Sequence, residues 1–404
     1  MRRREVLATA AGAVFVGPAA GTRASVDPLR WLALGDIGGL AMVDASATDA
    51  ATDAAAAADG VGTAGLWLLD TGAEVAAVDR TLAARLRLRR RGTRRVRTAG
   101  GDVSSAALVE APALQAGSTA LDLQDTVVLD LAAHAAAAGE PVLGIVGWPT
   151  LGALDCRLDM AAGQWRTGAT AVQRDPGAIE LPRSADHALP VVWARLGERA
   201  PTLLLLDTGF AGALMLWGDA ASDLAGAASS DARIAVDGIG GRTTVSALLL
   251  ARLGVGAAAW LDVPTLLLAA PPATAGAALR GVTGAIGMAL VGDAVLGFDA
   301  RRRSAWTTAG TAADALPGGF GVVLAMRGGW LIAHQVLASS PAAAAGVRPG
   351  DRLVALDNAP LSQQTLPAAW GVLAGVPQAR FVWQRDGAQR STLLTRDRFF
   401  RRVV

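Results

Sequence analysis

The chain has 404 residues and is 52% hydrophobic, so it can bury the cores of two or three domains and is not expected to be disordered as a whole. Its formal net charge of +2 gives no indication of nucleic-acid binding. The single cysteine, Cys156, excludes an intramolecular disulfide framework, and the three histidines lie too far apart in sequence to predict a metal site, so we expect no metal and no other cofactor.

Residues 1–24 have the features of an export signal. Three arginines at positions 2–4 precede a short apolar stretch over residues 6–16, and residues 22–24 offer a small-residue cleavage site. The pair Arg3 and Arg4 also resembles a twin-arginine signal. Because the apolar stretch is too short to span a bilayer, we predict no stable membrane span and a periplasmic or secreted protein.

The first long apolar run predicts a buried strand. Residues 44–64 are mainly Ala, Thr, Asp and Gly without apolar periodicity, which indicates a flexible insertion. Residues 66–69 are then continuously apolar, as expected for a strand buried on both faces, and they lead directly into Asp70. Further strand-like segments follow, including a hairpin indicated by Gly100 and Gly101. The fold is therefore predicted to be mainly β.

The most basic part of the sequence lies between these strands. Residues 85–97 contain eight arginines, and the chain has no lysine. We interpret this run as a solvated basic edge or loop, with a patch for an anionic partner as the alternative.

The second half of the chain repeats the order of features in the first. The apolar run and Asp-Thr-Gly segment at 66–72 recur at 203–209. The matching features are separated by 137 residues for Asp70 and Asp207, and by 140 residues for Gly101 and Gly241 and for Gly144 and Gly284. A nearly constant offset indicates an internal repeat. We therefore predict two lobes, at residues 25–172 and 173–312.

The repeat supplies one carboxylate from each half. A carboxylate on a tight loop at the end of a buried strand is held rigidly and stays reachable from a cleft. If the two loops meet across a twofold axis, Asp70 and Asp207 share one proton and titrate as a coupled pair. One carboxylate can then take a proton from water while the other donates one to a substrate carbonyl. This chemistry hydrolyses a peptide bond without a metal or a covalent intermediate.

Four neighbouring residues are predicted to support this pair. The hydroxyls of Thr71 and Thr208 can bond across the axis to the opposite loop and fix the separation of the two carboxylates. Gly72 and Gly209 permit the tight backbone and let amide donors approach the acids.

The order of these segments resembles the aspartic peptidases of the pepsin and retropepsin superfamily. In that family Asp-Thr-Gly is followed by two hydrophobic residues and a glycine, which residues 145–147 and 285–287 match. The resemblance covers about residues 60–306. It implies a bilobal fold of tandem acid-protease-like β-barrel domains, with the aspartates between the lobes and hairpin flaps over the cleft. Ala73 and Phe210 replace the Ser or Thr that often binds the acids in the family.

A third unit, at residues 316–395, resembles a PDZ domain of the kind associated with bacterial proteases. The segment from Ser340-Pro341 to Gly350-Asp351 carries the resemblance. It implies a groove in which a C-terminal peptide adds as a strand, with its carboxylate at the backbone amides of a loop formed by Phe320, Gly321 and Val322. The alternative is a packing module whose groove is unused. A basic tail over residues 396–404 is expected to fray.

Together these features predict an exported, metal-independent aspartic-type endopeptidase. Its partners are expected to be a peptide or protein substrate at Asp70 and Asp207, and a C-terminal peptide at the third unit. A catalytically silent peptide-binding or scaffold protein on a protease fold is the alternative. A glycosidase that uses paired carboxylates is a weaker alternative, since nothing else in the sequence indicates sugar binding.

Overall fold

A computed structural model describes residues 25–33, 39–48, 63–98, 101–138, 140–160, 162–225, 233–238, 241–268, 279–291, 294–308, 319–357, 359–361, 373, 376–397 and 402–403. The predicted export signal, most of the insertion before residue 63 and residues 309–318 lie outside the described residues. The described part of the chain is mainly β, which confirms this part of the predicted fold class.

The first half contains strands β1 to β12 and helices α1 to α3. Their bounds are β1 (Ser25–Ala33), β2 (Gly39–Thr48), β3 (Thr63–Asp70), β4 (Ala76–Asp79), α1 (Arg80–Arg85), β5 (Arg90–Thr98), β6 (Gly101–Val109), β7 (Ala113–Ala116), β8 (Thr119–Leu121), β9 (Thr126–Leu129), α2 (Ala132–Ala138), β10 (Val142–Gly147), α3 (Trp148–Leu151), β11 (Cys156–Asp159) and β12 (Gln164–Thr167).

The predicted buried strand is β3, at the centre of the first sheet. It begins at Thr63, and residues 66–69 are all buried because both faces of the strand are covered. The order around it is β2-β3-β10-β4-β9-β6-β5. β10 runs parallel to β3 and places Gly147 opposite Asp70. One sheet thus positions both Asp70 and the glycine segment that lies behind its loop.

The second half contains strands β13 to β22 and helix α4. Their bounds are β13 (Ala178–Leu181), β14 (Val191–Leu196), β15 (Thr202–Leu206), β16 (Leu214–Leu216), α4 (Gly218–Ala225), β17 (Arg233–Gly238), β18 (Gly241–Val255), β19 (Ala258–Leu267), β20 (Val282–Ile286), a 3₁₀ turn (Met288–Leu290), β21 (Val295–Asp299) and β22 (Ser304–Thr308).

The second sheet follows the strand order of the first. Its order is β14-β15-β20-β16-β19-β18-β17, with β15 parallel to β20 as β3 is parallel to β10. β14 also pairs with β18, so six of these strands form a closed ring. In the first half the corresponding partner of β2 is the short strand β7, because residues 110–112 interrupt the long strand.

A further antiparallel sheet joins the two halves. Its order is β13-β22-β21-β11-β12-β1, and the halves meet where Cys156 of β11 faces Phe298 of β21. Trp165 of β12 lies opposite Leu158, Trp306 of β22 lies opposite Gly297, and both tryptophans are fully buried. The predicted lobe boundary at 172/173 falls between β12 and β13, and the boundaries themselves remain predictions.

The third unit has its own sheet and its own core. Its elements are β23 (Val322–Arg327), β24 (Trp330–Val336), α5 (Pro341–Ala344), β25 (Arg352–Leu356), β26 (Ala359–Pro360), β27 (Gln378–Arg385) and β28 (Ala388–Thr395). The strand order is β23-β24-β25-β27-β28, with β26 on β25. Phe320, Phe381 and Trp383 form an aromatic cluster with neighbouring ring centroids 5.2 and 5.4 Å apart.

Two expectations about irregular segments are wrong for the residues that the structure describes. Residues 44–48 belong to β2 rather than to an insertion. The basic tail does not simply fray, since Arg396 donates to the carbonyls of Val376 and Leu373. Residues 402–403 form β29 (Arg402–Val403), which pairs in parallel with β18. Backbone pairing and the packing of Val403 against the main core offset the entropy of ordering this tail.

No helix in the described ranges is long and apolar enough to cross a membrane.

Candidate active site

The two Asp-Thr-Gly loops meet between the halves. Asp70 ends β3, and Asp207 directly follows β15. Each carboxyl lies against the glycine of the opposite loop: a Cβ on Gly72 would come within 2.6 Å of Asp207 Oδ1, and one on Gly209 within 2.5 Å of Asp70 Oδ1. The two carboxyl groups are themselves linked by a hydrogen bond. Glycine is needed at both positions because a side chain would displace the opposite carboxyl.

Crossed hydrogen bonds from the two threonines hold the loops together. The amide of Thr71 donates to Thr208 Oγ1 (2.9 Å), and Thr71 Oγ1 donates to the carbonyl of Leu206 (2.6 Å). Symmetrically, the amide of Thr208 donates to Thr71 Oγ1 (3.0 Å), and Thr208 Oγ1 donates to the carbonyl of Leu69 (2.6 Å). Both threonines are fully buried. The bonding predicted from sequence is therefore present and fixes the separation of the two loops.

The loops also position the carboxylates with their own amides. Gly72 N–H donates to Asp70 Oδ1 and Gly209 N–H donates to Asp207 Oδ1, each at 2.9 Å. Behind each loop a glycine allows close approach of the backbone: Gly147 is the last residue of β10, and Gly287 directly follows β20. A Cβ on Gly147 would lie 2.6 Å from the carbonyl oxygen of Val75, and Gly287 is equally crowded by the backbone of the second loop. This close backing keeps each loop in one conformation.

Burial raises the pKa values of both acids. The pKa of Asp70 rises to about 6, although the Gly72 and Ala73 amides and the hydrogen bond from Asp207 act in the opposite direction. Burial and the adjacent charge of Asp70 raise the pKa of Asp207 well above its usual range, against the amides of Gly209 and Phe210. Because the two carboxyls are adjacent, their ionisations belong to the pair, and one carboxyl keeps its proton after the other has ionised.

The first of these loops lies within a segment that matches a known family. Residues 54–150 match the family model described as "Aspartyl protease". These residues form an aspartyl protease domain. The solved structure of an aspartic proteinase from Irpex lacteus is similar over 71% of this chain and 97% of that chain, with a TM-score of 0.42 and 13% sequence identity. No curated protein sequence matches the chain.

The aspartyl protease domain and the second half differ in how they fill the space beside the carboxylate. The first loop has Ala73 and Val75, whereas the second has Phe210 and Gly212 at the corresponding positions. The Phe210 ring occupies the space over Gly212, where a Cβ would come within 2.7 Å of the ring carbon Cε2. The first loop therefore has the smaller side chain directly after Asp-Thr-Gly and the larger one two residues later, and the second loop has the reverse order. Gly212 was not predicted to have a role, although its correspondence to Val75 could have indicated one.

The predicted hairpins are present in both halves. β5 pairs with β6 up to Thr98 and Gly101, and β17 pairs with β18 through Gly238 and Gly241. β5 lies at the end of its sheet and carries part of the arginine run. Three arginines of the run form salt bridges with two carboxylates, since Arg89 and Arg91 share Glu110 and Arg94 pairs with Asp125. The run is therefore an exposed strand edge, and only part of its charge is balanced.

The predicted carboxylate-binding loop of the third unit lies within that unit's own core rather than beside the aspartates. Phe320, Gly321 and Val322 are buried. Gly321 has a φ of 77°, a conformation that favours glycine, and a Cβ there would collide with Ser340. The carbonyl of Gly321 accepts from the amide of Leu337 at 2.9 Å. Its own amide donates to no acceptor among the described residues.

In the described part of the chain, no three His, Cys, Asp or Glu side chains come together in a way that could hold a metal ion. The two adjacent carboxyls can act as a coupled acid and base.

Proposed function

We propose that this protein is an aspartic-type endopeptidase whose catalytic residues are Asp70 and Asp207. The observation that carries the proposal is the pair of adjacent carboxyls, both with raised pKa values, between loops joined by crossed threonine bonds. The aspartyl protease domain at residues 54–150 supports the same assignment, because it contains Asp70. We also propose export directed by residues 1–24, which N-terminal sequencing of the mature protein from the producing cell would test.

In the proposed mechanism a water molecule binds between the two carboxyls. The Asp70 carboxylate takes a proton from this water as its oxygen attacks the scissile carbonyl carbon, while Asp207 donates its proton to the carbonyl oxygen. The resulting tetrahedral intermediate collapses as the proton on Asp70 passes to the leaving amine. Asp207 then recovers the proton from the intermediate, and the net reaction consumes one water per peptide bond.

Peptide cleavage by single variants tests the proposal. Asp70→Asn and Asp207→Asn should each lower kcat/KM by about 10²–10⁴-fold, since each removes one proton-transfer group. Asp186→Asn is the matched control, because Asp186 is exposed and belongs to neither loop. Wild-type activity in either dyad variant would overturn the assignment. Absence of turnover by the folded wild type would favour the silent peptide-binding protein instead.

A second function, recognition of C-terminal peptides, is proposed for the third unit as a PDZ-like module. It is supported by the buried Gly321 amide, which has no acceptor within the described ranges and could donate to a peptide carboxylate. β23 also ends the sheet, so an extended peptide could add beside it.

Binding of one peptide with a free and with an amidated C-terminus tests this role. Gly321→Ala should weaken binding of the free acid about tenfold or more, because the new Cβ collides with Ser340 and moves the loop. Gly328→Ala is the control, since Gly328 also has a positive φ of 58° but no atom lies within 4 Å of its Cβ position. Equal binding of the acid and the amide would remove the assignment.

A further inference from the structure

The edge strand β5 combines an open backbone edge with a surplus of positive charge. Residues 79–130 contain nine arginines and six carboxylates, a surplus of three, whereas the whole chain has a surplus of two. Glu110 and Asp125 form salt bridges with arginines 89, 91 and 94, so two negative charges balance two of these three positive charges. Arg95 on β5, Arg85 at the end of α1 and Arg87 in the turn before β5 are exposed and have no carboxylate partner among the described residues. The excess charge therefore lies in the segment that runs from α1 to β9.

The backbone of this strand is open to a further strand. β5 pairs with β6 on one side and is the last strand in the order of its sheet. The described residues place no strand on its other side, so its outward amides and carbonyls are available to an extended peptide.

The same strand is connected to the two carboxylate loops by packing. Val96 of β5 is half-buried against a cluster that also contacts Ala73, three residues after Asp70, and Ala211, four residues after Asp207. Shared packing against one cluster therefore links β5 to the two loops that carry the carboxyls.

We propose that the β5 edge selects peptides with acidic residues near the cleavage site, which bind as an added strand and pair with Arg85, Arg87 and Arg95. This inference rests on the proposed peptidase function and adds its substrate class. Charge complementarity at an open strand edge favours a peptide over a lipid surface, which offers no backbone to pair with the strand.

Protection against self-association is the main competing role, because charged side chains on an edge strand prevent edge-to-edge pairing. That role requires only that the edge be charged, and it predicts no preference among substrates. The two roles therefore differ in what loss of the arginines changes: peptide selectivity in one case and oligomeric state in the other.

The test compares two peptides that share one cleavage sequence and differ in flanks of three Glu or three Gln. For the wild type we expect kcat/KM about fivefold higher with the Glu flanks at about 20 mM NaCl, falling to about twofold at about 300 mM, because exposed charge pairs are weak and screened by salt. The combined variant Arg85→Gln, Arg87→Gln and Arg95→Gln should lose the preference.

The matched control carries Arg195→Gln, Arg252→Gln and Arg301→Gln, which remove the same charge from exposed positions in the second half. It should keep the preference of the wild type. Loss of the preference in the control as well would show that net charge, and not β5, is responsible, and would overturn the proposal. So would self-association of the β5 variant with unchanged selectivity.

A binding experiment separates this inference from the peptidase assignment. Fluorescence anisotropy of the same labelled peptides with Asp207→Asn measures affinity without requiring cleavage. Tighter binding of the Glu-flanked peptide that depends on the three arginines supports the edge even if wild-type turnover is absent. Equal affinity for both peptides would overturn the proposal that the β5 edge selects acidic peptides, even if turnover is present. Binding of anionic vesicles alone, dependent on the three arginines, would overturn it as well.

Discussion

The two carboxylate loops share a backbone and differ in their chemistry. In both halves a buried strand leads into Asp-Thr-Gly, a parallel neighbour backs the loop, and one threonine makes the same crossed bonds with the same donors and acceptors to within 0.1 Å. Yet Asp70 has a pKa of about 6 and Asp207 a pKa well above its usual range. Symmetry of the backbone therefore does not make the two acids equivalent.

The difference arises because two carboxyls at hydrogen-bonding distance cannot hold two negative charges at low cost. Whichever acid ionises first raises the pKa of the other. Asp70 receives the amides of Gly72 and Ala73, and Asp207 receives those of Gly209 and Phe210. The amides therefore do not distinguish the two acids. A symmetric scaffold thus holds a coupled pair that loses its two protons at different pH values. The following predictions test how far this symmetry and this inequality extend.

The largest effect is expected from breaking the symmetric bonds. Thr71→Val and Thr208→Val should each destabilise the protein by about 2–4 kcal/mol, because each leaves a buried carbonyl and a buried amide without partners. If the loops are equivalent, urea denaturation should give similar losses for both. Thr→Ser at the same positions keeps the hydroxyl and should cost far less. A loss of stability in only one of the two variants would show that the two loops are not energetically equivalent.

The exchanged side chains should give the next largest effect. Gly212→Val places a side chain against the Phe210 ring and should cost about 1–3 kcal/mol through overpacking. Adding Phe210→Ala should recover much of that loss, because the pair then matches Ala73 and Val75 of the first loop. Thermal unfolding of the single and double variants measures the coupling. Additive losses would show that the ring and Gly212 do not compensate.

Ionisation of the pair should make stability depend on pH. The folded pKa of Asp70 is raised from 3.8 to about 6, so its contribution is complete below about pH 4 and is lost as pH rises towards 6. The pKa of Asp207 is raised further and extends the loss to higher pH. Asp207→Asn should therefore stabilise the protein at pH 7 by about 1–3 kcal/mol and by much less at pH 4. Equal shifts at both pH values would contradict the raised pKa.

The smallest effect concerns the residue that follows the first glycine. Activity should rise with pH through about 6 as Asp70 loses its proton, so the acid limb of kcat/KM should lie near that pH. Ala73→Ser adds a hydroxyl next to this carboxylate, which should favour the ionised form and move the acid limb down by about half a pH unit. An unmoved limb would show that the new hydroxyl does not reach Asp70.

Much of the fold and the candidate site could be predicted, because local patterns carried them. Continuous apolar residues at 66–69 predicted the buried strand, and paired glycines predicted the hairpin between β5 and β6. The packing of the Phe210 ring over Gly212 was not predicted, because it depends on which side chains fill the same space in the folded protein. The parallel pairing of Arg402 and Val403 with β18 was not predicted, because a segment of two residues contains no strand signal of its own.

By itself the sequence determined that two similar halves each supply an aspartate, a threonine and a glycine on a tight loop, because an internal repeat preserves residue types and spacing. Only the tertiary structure decided that these loops touch, that Thr71 and Thr208 bond across the boundary, and that burial and close approach raise the pKa values of both aspartates. The physical reason is that hydrogen bonding between distant loops and the pKa of a buried acid depend on contacts made through space, which residue order does not contain.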